Sequence, residues 1–349
     1  MSNTSARLTT LAAALALALA AAPARAADGG NAVSWQGESG PAKGKRIVYL
    51  AGDPEYRGEE SLPALARILA KEYGCSCTVF FTTDPKDGTI KPGNNAMSGL
   101  EVLKDADLLV VFLRFQHFPD DQMKCIDDYL KAGKPVIGLR TATHAFQGLK
   151  GDYERYNEGF NGEPWKGGFG REILGEHWVG HYGANHKQSS LLVLEPDQRA
   201  HPVLRGVSEV HVQCGGYNAD PKPGSVVLAR GQILNGMAAS DPPAGDKKVL
   251  PVAWVRTYQG ERGRVFTTTH GASEDLLNDG FRRMLVNAHL WCLGLDDAIK
   301  ADNPIAFVGP FHPTTFNFDG HRKGLRPLDF AGWDAAIPPD PAAAPPAKP

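Results

Sequence analysis

Apolar residues along the chain recur with two alternating periods. Ile47-Val48-Tyr49-Leu50-Ala51 is a continuous apolar run that stops at Gly52-Asp53, the pattern of a strand buried on both faces and ending in a loop. In residues 59–73 the apolar positions Leu62, Leu65, Ala66, Leu69 and Tyr73 fall at helical spacing, and Gly74 stands where a helix would stop. Residues 77–82, 107–113 and 135–139 then read as strands, with an amphipathic helix over 119–132 that Gly133 closes. Strands alternating with helices need crossover connections, so this half of the chain predicts a doubly wound α/β domain on a mostly parallel sheet of the glutamine amidotransferase or flavodoxin kind. Strands are expected again at 190–194, 210–212, 225–229, 249–258 and 264–269, and a helix at 279–293 aligns Phe281, Leu285, Ala288 and Cys292 on one stripe.

Between the two halves, residues 148–187 are rich in Gly, Trp, Tyr and His and poor in aliphatics, which marks a functional insertion with a short helix near 171–177. The α/β domain is therefore expected over 44–295. A Gly/Ser/Asn-rich lead-in at 27–43 reads as flexible, 296–334 as an irregular extension and 335–349 as a disordered Pro/Ala tail. Residues 8–22 contain only Thr, Leu and Ala and are followed by Pro23-Ala24-Arg25-Ala26. That apolar run is too short to span a bilayer comfortably, and its small-residue end predicts a signal peptide cleaved after Ala26, with a periplasmic or secreted destination.

Composition narrows the partners. The 37 Lys and Arg against 39 Asp and Glu leave no basic excess for nucleic acid or an anionic membrane, and 42% hydrophobic residues exclude general disorder. No later segment is apolar enough to span a membrane, and a homo-oligomer is an open assembly state. Five cysteines in an exported chain raise the question of disulfides; a bond between Cys75 and Cys77, two apart on one strand, is not expected, while Cys125 and Cys292 fall on the inward stripes of helices.

Ligands in doubly wound sheets sit beyond the carboxyl ends of the strands. There the chain places Asp53, Glu55 and Tyr56, then Arg114 and His117, then Arg140 and His144, and after the last strand His270. Imidazoles titrate near neutrality and serve as acid, base or ligand. His177 and His181 lie four apart, with His186 beyond, and this trio is a candidate set for a divalent ion such as zinc. A Gly/aromatic loop whose histidines bond backbone carbonyls is the competing reading. His201, His289, His312 and His321 read as structural. Gly-x-Gly-x-x-Gly, phosphate-loop and Gly-x-Ser-x-Gly patterns are all missing, which argues against a nucleotide cofactor and serine hydrolysis.

The segments Gly138-Leu139-Arg140-Thr141-Ala142-Thr143-His144, His181-Tyr182-Gly183, Pro251-Val252-Ala253-Trp254-Val255-Arg256, Gly263-Arg264-Val265-Phe266 leading to His270-Gly271, and Phe281-Arg282-Arg283 resemble the ThuA-like family, named for trehalose utilisation. The resemblance covers about 45–294 and implies a fold similar to class I glutamine amidotransferases. Arg140 stands where that larger group carries its nucleophilic cysteine, so amidotransferase chemistry is not expected. It also replaces a histidine usual in the family, with His144 four residues on, and the family's Gly-His order after the last strand is here His270-Gly271.

The resemblance implies a carbohydrate-active enzyme working on sugars or glycosides, 3-keto-glycosides among them, through elimination, hydrolysis or isomerisation. His144 and His270 are then candidate acid–base residues, and Arg140 the group facing a developing enolate. Asp53, Glu55, Tyr56, Arg114 and Trp178 become candidate sugar contacts, with Trp165 as a second stacking surface, and His181, His177 and His186 the metal set. A non-catalytic sugar-binding or scaffold protein that keeps the fold is the alternative.

Overall fold

A computed structural model describes residues 30–340 and the short strand β1 (Arg25–Ala26). Residues 1–24, which hold most of the expected signal peptide, 27–29, and 341–349 of the expected Pro/Ala tail lie outside the described residues. The apolar run near the start forms β3 (Arg46–Gly52), preceded by β2 (Ala32–Gln36) and followed by α1 (Gly58–Tyr73) and β4 (Ser76–Phe81). Next come β5 (Leu108–Leu113), α2 (Asp120–Lys131) and β6 (Val136–Leu139). After the insertion, which contains β7 (His181–Tyr182), the chain forms β8 (Ser190–Leu194), β9 (Val210–Val212), β10 (Gly216–Tyr217), β11 (Val226–Ile233), β12 (Leu250–Tyr258) and β13 (Gly263–Thr268). Helix α3 (Asp279–Cys292) closes the domain.

Eleven strands join in the order β1-β2-β4-β3-β5-β6-β13-β12-β11-β8-β9. The central block β4-β3-β5-β6-β13 is parallel, and antiparallel strands extend it on both sides. This is the α/β fold expected from the strand–helix alternation. The period of two sorts each central strand between two cores: Ile47, Tyr49 and Ala51 join α1 and α3, whereas Val48 and Leu50 join α2. Helix α1 ends as its glycine required, with Gly74 at φ 84° and its N–H bonded to Ala70 O and Leu69 O. Helix α3 starts at Asn278, whose Oδ1 accepts from Phe281 N at 2.9 Å.

Two expectations need correction. The lead-in is not uniformly flexible: Ala-Val-Ser-Trp-Gln forms β2, paired antiparallel to β4, and buries Val33 and Trp35. Five alternating residues were outweighed by the polar average of their surroundings. Likewise order continues past 334, where Ile337 is buried. The extension is irregular but anchored: the buried Arg67 of α1 donates to Phe330 O at 2.8 Å, Ala335 O at 2.6 Å and Val308 O at 3.3 Å. All five cysteines are free, and Cys125 is half-buried rather than inward. Among the described residues no helix is long and apolar enough to cross a membrane.

Candidate functional site

Strand β3 lies between β4 and β5, so the chain's first crossovers leave β3 on opposite sides and open a crevice at its carboxyl end. Asp53 shapes the loop there: its Oδ1 accepts from Glu55 N at 2.9 Å and from Tyr56 N. Its Oδ2 is buried without a partner, and burial pushes its pKa up. Glu55 is also raised, first by burial and then by Asp53, with Arg114 Nη1 3.8 Å from its Oε2.

Arg140 occupies the centre. It turns the chain out of β6 in the left-handed region, φ 46°, a strained conformation for a residue with a Cβ. Wholly buried, it donates through Nη1 to Gly215 O and to Thr269 O at 2.6 Å, and through Nη2 to the Tyr56 hydroxyl at 2.8 Å. The guanidinium carbon lies 4.2 Å from the Tyr56 ring centre and 4.3 Å from that of Tyr217. Burial opposes its charge, but the Tyr217 and Tyr56 oxygens outweigh that and keep it ionised.

The Tyr56 hydroxyl accepts also from Asn185 Nδ2 at 2.8 Å and lies 3.3 Å from His181 Nε2. With both acceptor positions filled by donors, its own proton is directed to His181 Nε2, which places the imidazole proton on Nδ1. Burial, then Arg140 and Arg114, pushes the His181 pKa down to about 4. His144 is buried among Phe115, Trp178 and Tyr217, with ring centres 4.9, 5.3 and 5.8 Å away. Its Nδ1 is 3.2 Å from Thr143 Oγ1, and burial followed by Arg114, Arg140 and His181 holds its pKa well below the usual imidazole range. Both rings are therefore neutral near pH 7. Trp178 Nε1, Tyr217 Oη, Arg114 Nε and Asn185 Oδ1 are further buried polar atoms without a protein partner around this crevice.

The structure thus brings together Asp53, Glu55, Tyr56, Arg114, Arg140, His144, Trp178 and His181. It does not gather His177, His181 and His186 as a metal set. His177 sits beside Glu176, its Nδ1 3.5 Å from Oε1, in an adjoining open groove of about 720 Å³, and His186 stacks on Phe316 with ring centres 4.3 Å apart. The glycines between these histidines, Gly180 at φ 151° and Gly183 at φ 93°, break the helical turn that would have aligned them. His117 is exposed, with its N–H on Asn95 Oδ1, and Trp165 packs edge-on against Tyr156 at 4.8 Å instead of the crevice.

His270 lies behind Arg140, completely buried, with Nδ1 3.4 Å from Cys214 Sγ; that sulfur is 3.1 Å from Asp275 Oδ2. Among the described residues, Cys214, His270 and Asp275 form the group whose donor atoms lie close enough to share an ion, all within 4.8 Å of one another. Thiolate, imidazole and carboxylate suit zinc. An ion there would brace the loop after β9 against the loop after β13, next to the carbonyls of Gly215 and Thr269 that Arg140 engages. Sequence reasoning missed Cys214, Tyr217, Asn185 and Asp275. Cys214-Gly215-Gly216-Tyr217 begins one residue beyond β9, an antiparallel edge strand, and runs into β10, where the rule for the carboxyl ends of parallel strands gives no signal.

In comparison with known proteins, none of the curated ones matches the chain. Among solved structures it is similar to a ThuA-like protein from Bacteroides uniformis, at 15% identity and TM-score 0.44 over 76% of this chain and 96% of that one. A ThuA-like protein from Parabacteroides merdae matches at 16% identity and TM-score 0.44 over 79% and 98%. The family model described as "ThuA: Trehalose utilisation" matches residues 55–292, which span the crevice loops from Glu55 through His270. The chain belongs to the ThuA trehalose-utilisation family.

Proposed function

We propose that the protein is an exported carbohydrate-active enzyme that acts on glycosides, 3-keto-glycosides among them, by proton abstraction next to the keto group. The observation that carries this reading is the crevice lining. Neutral imidazoles stand among aromatic faces, and buried polar atoms lacking partners surround them: Asp53 Oδ2, Tyr217 Oη, Trp178 Nε1 and Arg114 Nε. A pyranose supplies both counterparts, hydroxyls for the unpaired atoms and a C–H face for the rings.

A keto group at C3 acidifies the C2 hydrogen. A neutral imidazole, His144 or His181, takes that proton, and the electron pair left behind forms the enolate. Collapse of the enolate makes the C1–C2 double bond and expels the substituent on C1, which leaves with a proton; water then adds to complete hydrolysis, or the enolate is reprotonated in isomerisation. Arg114 and Arg140 are the positive charges that depress both imidazoles. They favour the negative enolate by the same field. Arg140 acts on it at a distance, because its Nη donors are already engaged by Gly215, Thr269 and Tyr56. Glu55, with its raised pKa, is the carboxyl suited to protonate the departing group. A divalent ion belongs with Cys214, His270 and Asp275, and no step passes through it.

The test is turnover of 3-keto-glycosides and of their parent glycosides by the purified protein beside His144→Gln and His181→Gln. Each substitution is expected to lower kcat/KM by about 10²-fold or more. Binding of the sugar without turnover by the wild type would instead identify a carbohydrate-binding protein that keeps the fold; unchanged turnover in both variants would remove the imidazoles from the mechanism.

A further inference from the structure

The family match ends at residue 292, yet the chain beyond it reaches back to the crevice. Its attachment is built from buried charged groups. Glu60 of α1, 1% exposed, accepts from Thr314 N at 2.8 Å through Oε2 and from Thr314 Oγ1 at 2.6 Å through Oε1. Ser273 Oγ donates to Thr314 O at 3.1 Å, Arg57 Nη2 donates to Asn317 O at 2.7 Å, and Asn317 N donates to Glu55 O at 2.8 Å. The backbone on both sides of Phe316 is thereby fixed. Phe316 stacks on Tyr56 with ring centres 5.1 Å apart, inside the crevice wall. Phe318 does the opposite: it stays 51% exposed at the rim, with the Arg114 guanidinium 4.7 Å from its ring centre on one side. The same guanidinium lies 5.1 Å from the Phe115 ring, and Phe115 borders His144.

A large aromatic residue held at a site's edge by a pinned backbone, one face on a cation and the rest open to water, has a stacking face without an occupant. The hydrogen bonds of Glu60 and Arg57 to this segment offset the desolvation of both buried groups and fix the backbone that carries Phe318. We propose that residues 314–318 build a distal subsite in which Phe318, with Arg114 and Glu55 beside it, receives the second ring of a two-ring glycoside. The inner ring lies at His144 and His181; Phe115 and Arg114 stand between that position and Phe318, so the outer platform meets the next group along the substrate. This assignment rests on the glycoside reading above and adds the size of the substrate to it.

The experiment compares kcat/KM on a 3-keto disaccharide and on the corresponding methyl 3-keto-glycoside, for wild type, Phe318→Ala, Phe318→Trp and Leu328→Ala. Leu328 is equally exposed on the same extension, away from the crevice, and controls for general effects on that segment. Phe318→Ala is expected to lower the two-ring to one-ring specificity ratio about tenfold, mainly through KM; Phe318→Trp and Leu328→Ala keep it. An unchanged ratio in Phe318→Ala, or an equal loss in Phe318→Trp, overturns the subsite while the glycoside reading stands. A wild type inert toward both substrates overturns the two together.

Discussion

Replacing Tyr56 with Phe isolates the hydroxyl that joins Arg140, Asn185 and His181. The ring remains, and with it the stack on Phe316 and the contact with the Arg140 guanidinium. What disappears is the acceptor for Arg140 Nη2 at 2.8 Å and Asn185 Nδ2 at 2.8 Å, and the donor facing His181 Nε2 at 3.3 Å. A buried charged donor left unmet costs about 1–3 kcal/mol, and a half-buried amide about 0.5–1.5 kcal/mol. The sum, roughly 2–4 kcal/mol, corresponds to a fall in Tm of roughly 5–10 °C for a domain of this size. The His181 pKa should stay low, because burial, Arg140 and Arg114 set it and all three survive. His181 therefore remains neutral, but nothing fixes its tautomer, and kcat is expected to fall about 10²-fold. Urea unfolding, turnover and NMR titration of the His181 ring proton measure the three quantities separately. A variant as stable as wild type refutes the hydrogen-bond network. A destabilised variant with unchanged kcat makes Tyr56 purely structural.

Three further outcomes follow from the same geometry. Since the His181 pKa is pushed down to about 4 and the ring acts in its neutral form, kcat/KM should not decline between pH 7 and 5 and should fall only toward pH 4; a decline centred near 6.5 would contradict the depression of its pKa. His289 is fully buried with a pKa pushed down to about 4, so the unfolded chain, titrating near 6.5, binds more protons between those values and stability is lost as pH falls through that window. From this residue alone the loss between pH 7 and 4.5 is about 2.5 kcal/mol, and His289→Leu should remove that part of the slope in urea titrations at the two pH values. Arg67→Met should release the extension, with a loss of about 3 kcal/mol and early proteolysis within 305–335; a variant as resistant as wild type would show that the four carbonyls it serves are held by other contacts.

The sequence by itself determined the α/β architecture. Strands buried on both faces must be apolar throughout, and surface helices must repeat near 3.6, so β3 to β6, β8, β9, β12, β13 and the three helices were legible within a residue or two, whereas the two-residue strands β7 and β10 were not expected and β11 runs four residues past its expected end. It also pointed to the loops that line the crevice, since a doubly wound sheet opens its cleft at strand carboxyl ends. Asp53, Tyr56, Arg114, Arg140 and His144 were found by that rule. Only the tertiary structure decided how they combine. Spacing could not show that two glycines turn His177 and His186 away from His181, nor that Arg140 spends its donors on Gly215, Thr269 and Tyr56. Cys214, Tyr217 and Phe316 come from an antiparallel strand end and a segment beyond the family match, and their link to the crevice is long-range. Periodicity reports which face of an element is buried; it carries no information about which distant chain segment covers that face, because that is fixed by packing and by the pairing of buried polar groups.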